Sequence, residues 1–406
     1  MTYAGPPQAP ATPVAPARTS SSRIVGIDLA RGLALLGMMA THVLLVDEPE
    51  TGRLTLVGSV FAGRASALFA LLAGVSLAIV TGGTTPYAGR DRARASVSIA
   101  LRALIIGLLG LGLVELGAPV AVILAYYALL FVLALPFLGL RATPLAVLAL
   151  AWALLSPVVS LVLRQPLEPG PGEQVGLEIM LTSPGEGLSR LLLTGYYPAF
   201  TWLAYVLAGL AVGRLDLREK AVALRVLVVG ALLAVGSWLV STALVAVVAA
   251  PDLGSELRAV LSPWELAGIV SDREGNGTTS VDDWRELLAM VRHSGSPFDL
   301  LHTIGSALVV LGLFLLVARS DVVRRLLRPL AAVGSMTLTL YTAHVVVLHL
   351  ELGTWDDPGY YWAQVLAALV LAPLWLMRFR RGPLEQVVHA ASHDIARALV
   401  PPRRTS

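Results

Sequence analysis

Ten stretches of about twenty mostly apolar residues, separated by polar segments, run between residues 24 and 377. That length is what a helix needs to cross the roughly 30 Å hydrocarbon core of a bilayer. With no water there to satisfy a peptide group, only helices and closed barrels can make the crossing. The stretches lie at 24–46, 57–81, 96–114, 118–139, 144–163, 194–213, 221–249, 301–318, 331–350 and 360–377. The chain is 14% charged, against about 25% in an ordinary soluble domain. A soluble enzyme, a nucleic-acid module and a fibrous protein are excluded. The expected fold is all-α: a multi-pass protein of the cell membrane with about ten transmembrane helices.

Residues 1–22 are rich in Pro, Ala, Thr and Ser and show no apolar period, which predicts a disordered tail. Arginine clusters in alternate connecting segments. By the positive-inside rule both termini are then cytoplasmic. The domain plan is a tail at 1–22, a membrane domain at 23–377 with long outer loops at 164–193 and 250–300, and a basic cytoplasmic tail at 378–406. Within the second loop, Leu253–Ile269 and Val281–Val291 carry short amphipathic helix patterns. The alternation of apolar residues with His and Arg after Gly382 predicts a helix lying on the inner leaflet. Cysteine is absent, so disulfides, thiolate nucleophiles and cysteine metal sites are excluded.

Charges inside a membrane span are costly unless they face protein or water, so each marks a candidate site. The first span carries Asp28, Arg31 and His42. At 100° per residue, positions 28, 31, 35, 39 and 42 share one face, and His42 lies roughly 20 Å along the axis from Asp28. A polar stripe is therefore predicted from the inner to the outer side. The second span enters from outside and brings Arg64 to the depth of His42. Gly63, Ala67, Ala70, Gly74 and Ala78 give it a small-residue face for close helix packing. That packing is expected to put Arg64 and His42 into one outer cavity. His293, His302, Tyr341, His344 and His349 fall near the same level. Arg102 sits at the inner end of the third span, where it either snorkels or meets an anion.

No H-E-x-x-H pair, G-x-S-x-G elbow or Walker lysine is present, which removes the simplest zinc hydrolase, serine hydrolase and P-loop readings. No histidine metal centre is expected. The outer loop does place Asp272, Glu274, Asn276 and Asp283 at positions 1, 3, 5 and 12 of an EF-hand-like pattern with Gly277 at position 6. A polar turn is the expected reading there and Ca2+ binding the alternative.

The run Arg23-Ile-Val-Gly-Ile-Asp28-Leu-Ala-Arg31-Gly-Leu-Ala-Leu-Leu-Gly-Met-Met-Ala-Thr-His42 resembles the first-helix signature of the heparan-α-glucosaminide N-acetyltransferase-like transmembrane acyltransferases. Gly63-Arg64-Ala-Ser66-Ala-Leu-Phe69 and the residues to Ser76 resemble their second helix. Weaker likenesses to bacterial relatives lie in His293-Ser-Gly-Ser-Pro, Gly334-Ser-Met-Thr-Leu-Thr-Leu-Tyr341 and Arg381-Gly-Pro-Leu-Glu385. The resemblance implies acetyl transfer from cytoplasmic acetyl-CoA to an amine or hydroxyl of an extracytoplasmic glycan. It makes His42 the catalytic histidine and puts Asp28 and Arg31 in the core motif.

The expected site then has His42 as general base or transient acetyl carrier, Arg64 stabilising an oxyanion, and Asp28 supporting them. Arg31, Arg102 and Ser66, with Arg92 and Arg94 nearby, are assigned to the acyl donor. His293, His302, Tyr341 and His344 are assigned to the acceptor. Partners are the donor, a cell-envelope glycan and the bilayer, with no nucleic acid; self-association stays open. The rival reading is a transporter or flippase whose polar stripe lines a substrate path.

Overall fold

A computed structural model of the chain describes residues 23–117, 119–167, 174–248 and 275–401. Among these residues there are helices and no β-strand; a lone bridge from Asp47 to Leu54 closes a turn. The first half holds α1 (Val25–Val43), α2 (Leu56–Phe61), α3 (Arg64–Val80), α4 (Gly89–Glu115), α5 (Leu124–Ala134) and α6 (Ala142–Arg164). The single turns α7 (Leu177–Thr182) and α8 (Pro184–Ser189) lead into α9 (Ala199–Gly213) and α10 (Lys220–Val248). The last third holds α11 (Pro297–Val317), α12 (Asp321–Leu326), α13 (Arg328–Ser335), α14 (Thr337–His349), α15 (Pro358–Arg378) and α16 (Pro383–Leu399).

Every expected apolar stretch coincides with helix, but not every one is a simple span. Among the described residues six helices are long and apolar enough to cross a membrane: α2 with α3, then α4, α6, α10, α11 and α15. The count rises to eight if two bent pairs each make one span. These are Pro184–Thr194 with α9, bent by 55°, and α13 with α14, bent by 81°. Leu124–Phe137 is apolar but short. Helix α1, which carries Asp28, Arg31 and His42, is kept from lipid by its neighbours: thirteen of its residues are buried.

Contacts between connecting segments sort them into two ends. At one end the buried Arg214 donates to the carbonyls of Ala78, Gly83 and Leu138, and Arg94 donates to the carbonyl of Val400. At the other end Arg292 pairs with Asp47, Arg164 donates to the carbonyl of Thr279, and Asp356 N–H donates to the carbonyl of Val43. The first will be called the arginine end and the second the histidine end.

Local chemistry sets several helix starts. Thr55, Ser296 and Asp357 each accept a backbone N–H of the first turn, satisfying a donor that would otherwise be orphaned. Pro297 and Pro358 follow the latter two caps, where a missing N–H costs nothing. Gly63 breaks α2 from α3 at φ +71°, a backbone state that disfavours a side chain.

Two expectations about outer and tail segments change. The pattern over Val281–Val291 gives only a 3-10 turn, Trp284–Leu288, capped by Asp283. Gly275 and Gly277 donate to the carbonyls of Arg292 and His293, so this segment folds back on itself as a loop rather than propagating a helix. Leu253–Ile269 and residues 1–22 lie outside the described residues. The tail helix α16 does form, but it packs into the protein through Val388, Ser392 and Ala396, leaving Val387, Ile395 and Leu399 exposed.

The small-residue face of α3 meets α9 rather than α1. A Cβ added at Gly74 would collide with the Val206 carbonyl, and one at Gly209 with the Leu71 carbonyl. Glycines on both partners let the backbones touch, and that match draws the face to α9. Gly74→Leu is expected to overpack this contact and destabilise the protein by about 1–3 kcal/mol. A lowered thermal midpoint in detergent checks it, against an unchanged midpoint for a substitution at the lipid-exposed Leu232.

Candidate functional site

The bundle encloses a cavity of about 1400 Å³ that opens at the arginine end. Ligand pockets usually hold about 300–1,000 Å³, so this one suits a ligand larger than a drug-sized molecule. Its mouth carries Arg23, Arg31, Arg94, Arg102, Arg380 and Arg381, with only Asp91 and Glu385 as carboxylates. Further in, the walls turn apolar: Phe69, Ile106, Leu124, Tyr127 and Phe131 lead to Met38 and Tyr341.

On α1, Arg31 and Met38 line the cavity two turns apart, roughly 10 Å along the axis. Asp28 is buried beneath the mouth and pairs with Arg23 and, at 3.7 Å, with Arg31. Arg31 also donates to the hydroxyl of Ser76. Leu35 and Met39, expected on a continuous polar stripe, are fully packed in the core. The polar groups of α1 therefore sit near its two ends, with an apolar stretch between them.

Arg102 lines the mouth together with Arg31 and Arg381. Its nearest charges include Arg31 and Arg381, and among the described residues it has no hydrogen-bond or ion-pair partner. Three like charges around one space make a strong anion site, because an entering anion meets undercompensated donors. His389 on α16 faces the same mouth; burial, then the charges of Arg381 and Arg102, hold its pKa below the ordinary histidine value. Ser66, assigned to the donor from its motif, does not line the cavity. Its hydroxyl turns back to the Gly63 carbonyl within its own helix, and Ser76 is the α3 hydroxyl on the cavity wall.

One helical turn beyond the closed end of the cavity stand two histidines. His42 Nδ1 lies 3.1 Å from His344 Nε2, with ring centroids 5.3 Å apart and planes 10° from parallel. His344, 3% exposed, is held through Nδ1 by Gln364 Oε1 at 2.7 Å. Tyr341, one turn before His344, accepts from the Ile123 N–H at 3.3 Å.

Arg64 was expected beside His42, and the structure gives the two separate partners. Arg64 donates to the Ser59 carbonyl at 2.7 Å and to His302 Nε2 at 3.2 Å, while His302 Nδ1 donates to the Ala234 carbonyl at 3.1 Å. The reason is the packing of α3 on α9 and α11, which turns the start of α3 toward α11. His293 sits at φ +55° against the rings of Tyr196 and Tyr197, near enough for its charge to act on His42. The buried Asp299 lies near enough to Arg64 to attract its guanidinium.

Of the EF-hand-like residues, Asp272 and Glu274 lie outside the described residues and Asn276 is exposed. Asp283 is held by Arg285 at 2.8 Å, which keeps its carboxyl below the usual carboxylate range. Among the described residues no three His, Asp or Glu side chains gather as a metal-binding group.

Gln364, Asp299 and Ser76 escaped the sequence reading. Asp299 had a signal, an acid in the first turn after a Ser-Pro cap; Gln364 had a weaker one, a lone amide in an apolar helix. Glu385 explains one weak motif: its carboxylate accepts from Leu338 N–H, Thr339 N–H and the Thr339 hydroxyl, clasping the first turn of α14 just after the 81° bend. Gly334, before that bend, lets α13 sit against the Asp28 carbonyl.

The all-helical fold, with its cationic mouth, apolar interior and paired histidines beyond, defines an integral membrane protein built around one large cavity. A family model described as heparan-alpha-glucosaminide N-acetyltransferase, catalytic, matches residues 23–249, more than half the chain. The chain belongs to that transmembrane acyltransferase family and is an acetyltransferase-type enzyme. A second model, described as a protein of unknown function (DUF418), matches residues 279–393. No curated protein matches the chain.

Glu385→Ala is expected to loosen the α16 wall, at a cost of about 1–3 kcal/mol for lost bonds to a charged acceptor. Limited proteolysis reads this as faster cleavage around residues 380–400, and unchanged cleavage would refute the clasp.

Proposed function

We propose that the protein takes acetyl-CoA from the cytoplasm and acetylates an amine or hydroxyl of a cell-envelope glycan on the far side of the membrane. The observation that carries this is the cavity itself: an arginine-rich mouth for phosphates, an apolar shaft for a slender acyl-bearing arm, and an imidazole pair one turn beyond its end. Both termini lie in the cytoplasm in this reading, so the mouth faces the donor pool and the histidine end faces the acceptor.

The residues present fit such a donor. Arg31, Arg102 and Arg381 bind its phosphates, with Arg94 and Arg380 beside them. Phe69, Tyr127 and Phe131 exclude water from the shaft. His42 is the general base: its free imidazole nitrogen takes the proton as the acceptor nitrogen or oxygen bonds to the acyl carbon. The carbon–sulfur bond then breaks and the sulfur leaves as thiolate on the cytoplasmic side, the proton staying on His42 until product departs. Arg64 and His302 line the acceptor's approach with His293, and Arg64 supplies positive potential there. Acetyl-CoA chemistry rather than transport is favoured because the cavity lining turns apolar away from the arginines, with a histidine pair one turn beyond Met38 and Tyr341.

His42→Ala is expected to lower acetyl transfer by at least about 100-fold, the usual scale for a lost general base. Acetyl-CoA binding, read as a thermal shift of detergent-solubilised protein, should persist. Normal turnover in that variant would end the proposal.

A further inference from the structure

We propose that Gln364 is a positioning residue that sets the proton on both histidines and makes His42 Nε2 the base. This rests on the reading of His42 as general base but makes a separate claim about protons in the resting protein.

With Gln364 Oε1 turned to His344, the chain of bonds has one consistent filling. Gln364 Oε1 only accepts, so the 2.7 Å contact requires a hydrogen on His344 Nδ1. In a neutral imidazole the other nitrogen is then bare, so His344 Nε2 accepts. The 3.1 Å contact to His42 Nδ1 therefore requires a hydrogen on that atom. His42 Nε2 is left bare, and it has no hydrogen-bond partner among the described residues. The opposite amide orientation would donate to His344 Nδ1 and reverse every step. His42 Nε2 would then carry a hydrogen and could not accept one. One amide, two helices away from α1, thus decides whether His42 is a base.

Gln364 Nε2 is buried with no hydrogen-bond partner among the described residues, so the contact to His344 is what orients the amide. Gln364 lies on α15 and His344 on α14, and His344 is 3% exposed, so water does not compete for its nitrogens. The rings are 10° from parallel, which aligns the in-plane lone pair with the N–H that meets it. Tyr361, one turn before Gln364, donates to the Leu36 carbonyl and ties α15 to α1. When His42 takes a proton at Nε2, the Nδ1–H already donates to His344, so the cation forms with one of its hydrogens satisfied. No proton need leave the pair until product departs.

A helical-packing role alone would make Gln364 replaceable by any side chain of its shape. The relay requires an acceptor at Oε1. Gln364→Met keeps the shape and removes the acceptor; Gln364→Glu keeps the acceptor and cannot donate.

The test uses full-length protein labelled with 15N-histidine, with His42 assigned by comparison with His42→Gln. Nitrogen NMR distinguishes bare from hydrogen-bearing ring nitrogens and needs no turnover. The expected result is a hydrogen on His42 Nδ1 and a bare Nε2 in the wild type and in Gln364→Glu, with a mixture in Gln364→Met. With acetyl-CoA as donor, Gln364→Met is expected to lose about 10-fold or more in kcat while KM for acetyl-CoA stays put, and Gln364→Glu to recover most of it. A hydrogen on His42 Nε2 in the wild type overturns the relay even if the protein is active. So does equal loss in both variants. The expected nitrogen pattern with no acetyl transfer would instead refute the functional reading and leave the relay standing.

Discussion

A charge buried away from water must find a partner or face a cavity, and that constraint places α1. Asp28, Arg31 and His42 would be expensive against lipid, so α1 stands inside the bundle with α3, α11, α13, α14 and α15 around it. Glycine makes the close packing feasible: Gly26 meets the Leu315 backbone, Gly32 the Leu330 carbonyl and Gly37 the Phe61 ring. Asp28 is neutralised by two arginines, and Arg31 is shared between Asp28, Ser76 and the cavity. The rest of the site is organised around that helix, mouth at one end and imidazoles at the other.

The site is assembled from both ends of the sequence. Arg31, His42, Arg64 and Arg102 lie in the segment matched by the acetyltransferase family model, and His344 and Arg381 in the segment matched by the second. Neither segment alone contains the histidine pair or closes the mouth. The 81° bend between α13 and α14 links them, since it brings Gly334 onto α1 while aiming α14 toward His42. Glu385 and the carbonyl of Val400 then hold α16 across the opening.

Much of this was legible in the sequence. Apolar length located helix in each of the ten stretches, though six to eight spans stand among the described residues, and the cost of intramembrane charge singled out Asp28, Arg31, His42, Arg64 and Arg102. Helical periodicity could not name partners. It gives the face a residue occupies but not the helix it meets, so Arg64 was paired with His42 when it meets His302, and α3 was expected against α1 when its glycines match those of α9. His344 was seen as lining an acceptor site, while its role as the partner of His42 depends on a bend that apolar length does not encode. Ser66 and Ser76 lie about 15 Å apart along α3, and packing decided which of them faces the cavity. The tail helix was read on the inner leaflet from its alternation of apolar residues with His and Arg; one side of it, Val388, Ser392 and Ala396, packs on the protein while Val387, Ile395 and Leu399 stay exposed.

The central claim is that the arginine-mouthed cavity opens to the cytoplasm and holds the nucleotide of the donor. The chain has no cysteine, so Ser98→Cys on the cavity wall and Ser59→Cys at the histidine end each give a single thiol. The direct measurement is the rate at which a membrane-impermeant maleimide, applied to one side at a time, labels each in sealed vesicles with and without acetyl-CoA. The expected result is labelling of Ser98→Cys from the cytoplasmic side, slowed by acetyl-CoA, and labelling of Ser59→Cys from the opposite side without protection. Labelling of Ser98→Cys from the outer side, or at a rate indifferent to saturating acetyl-CoA, would contradict it.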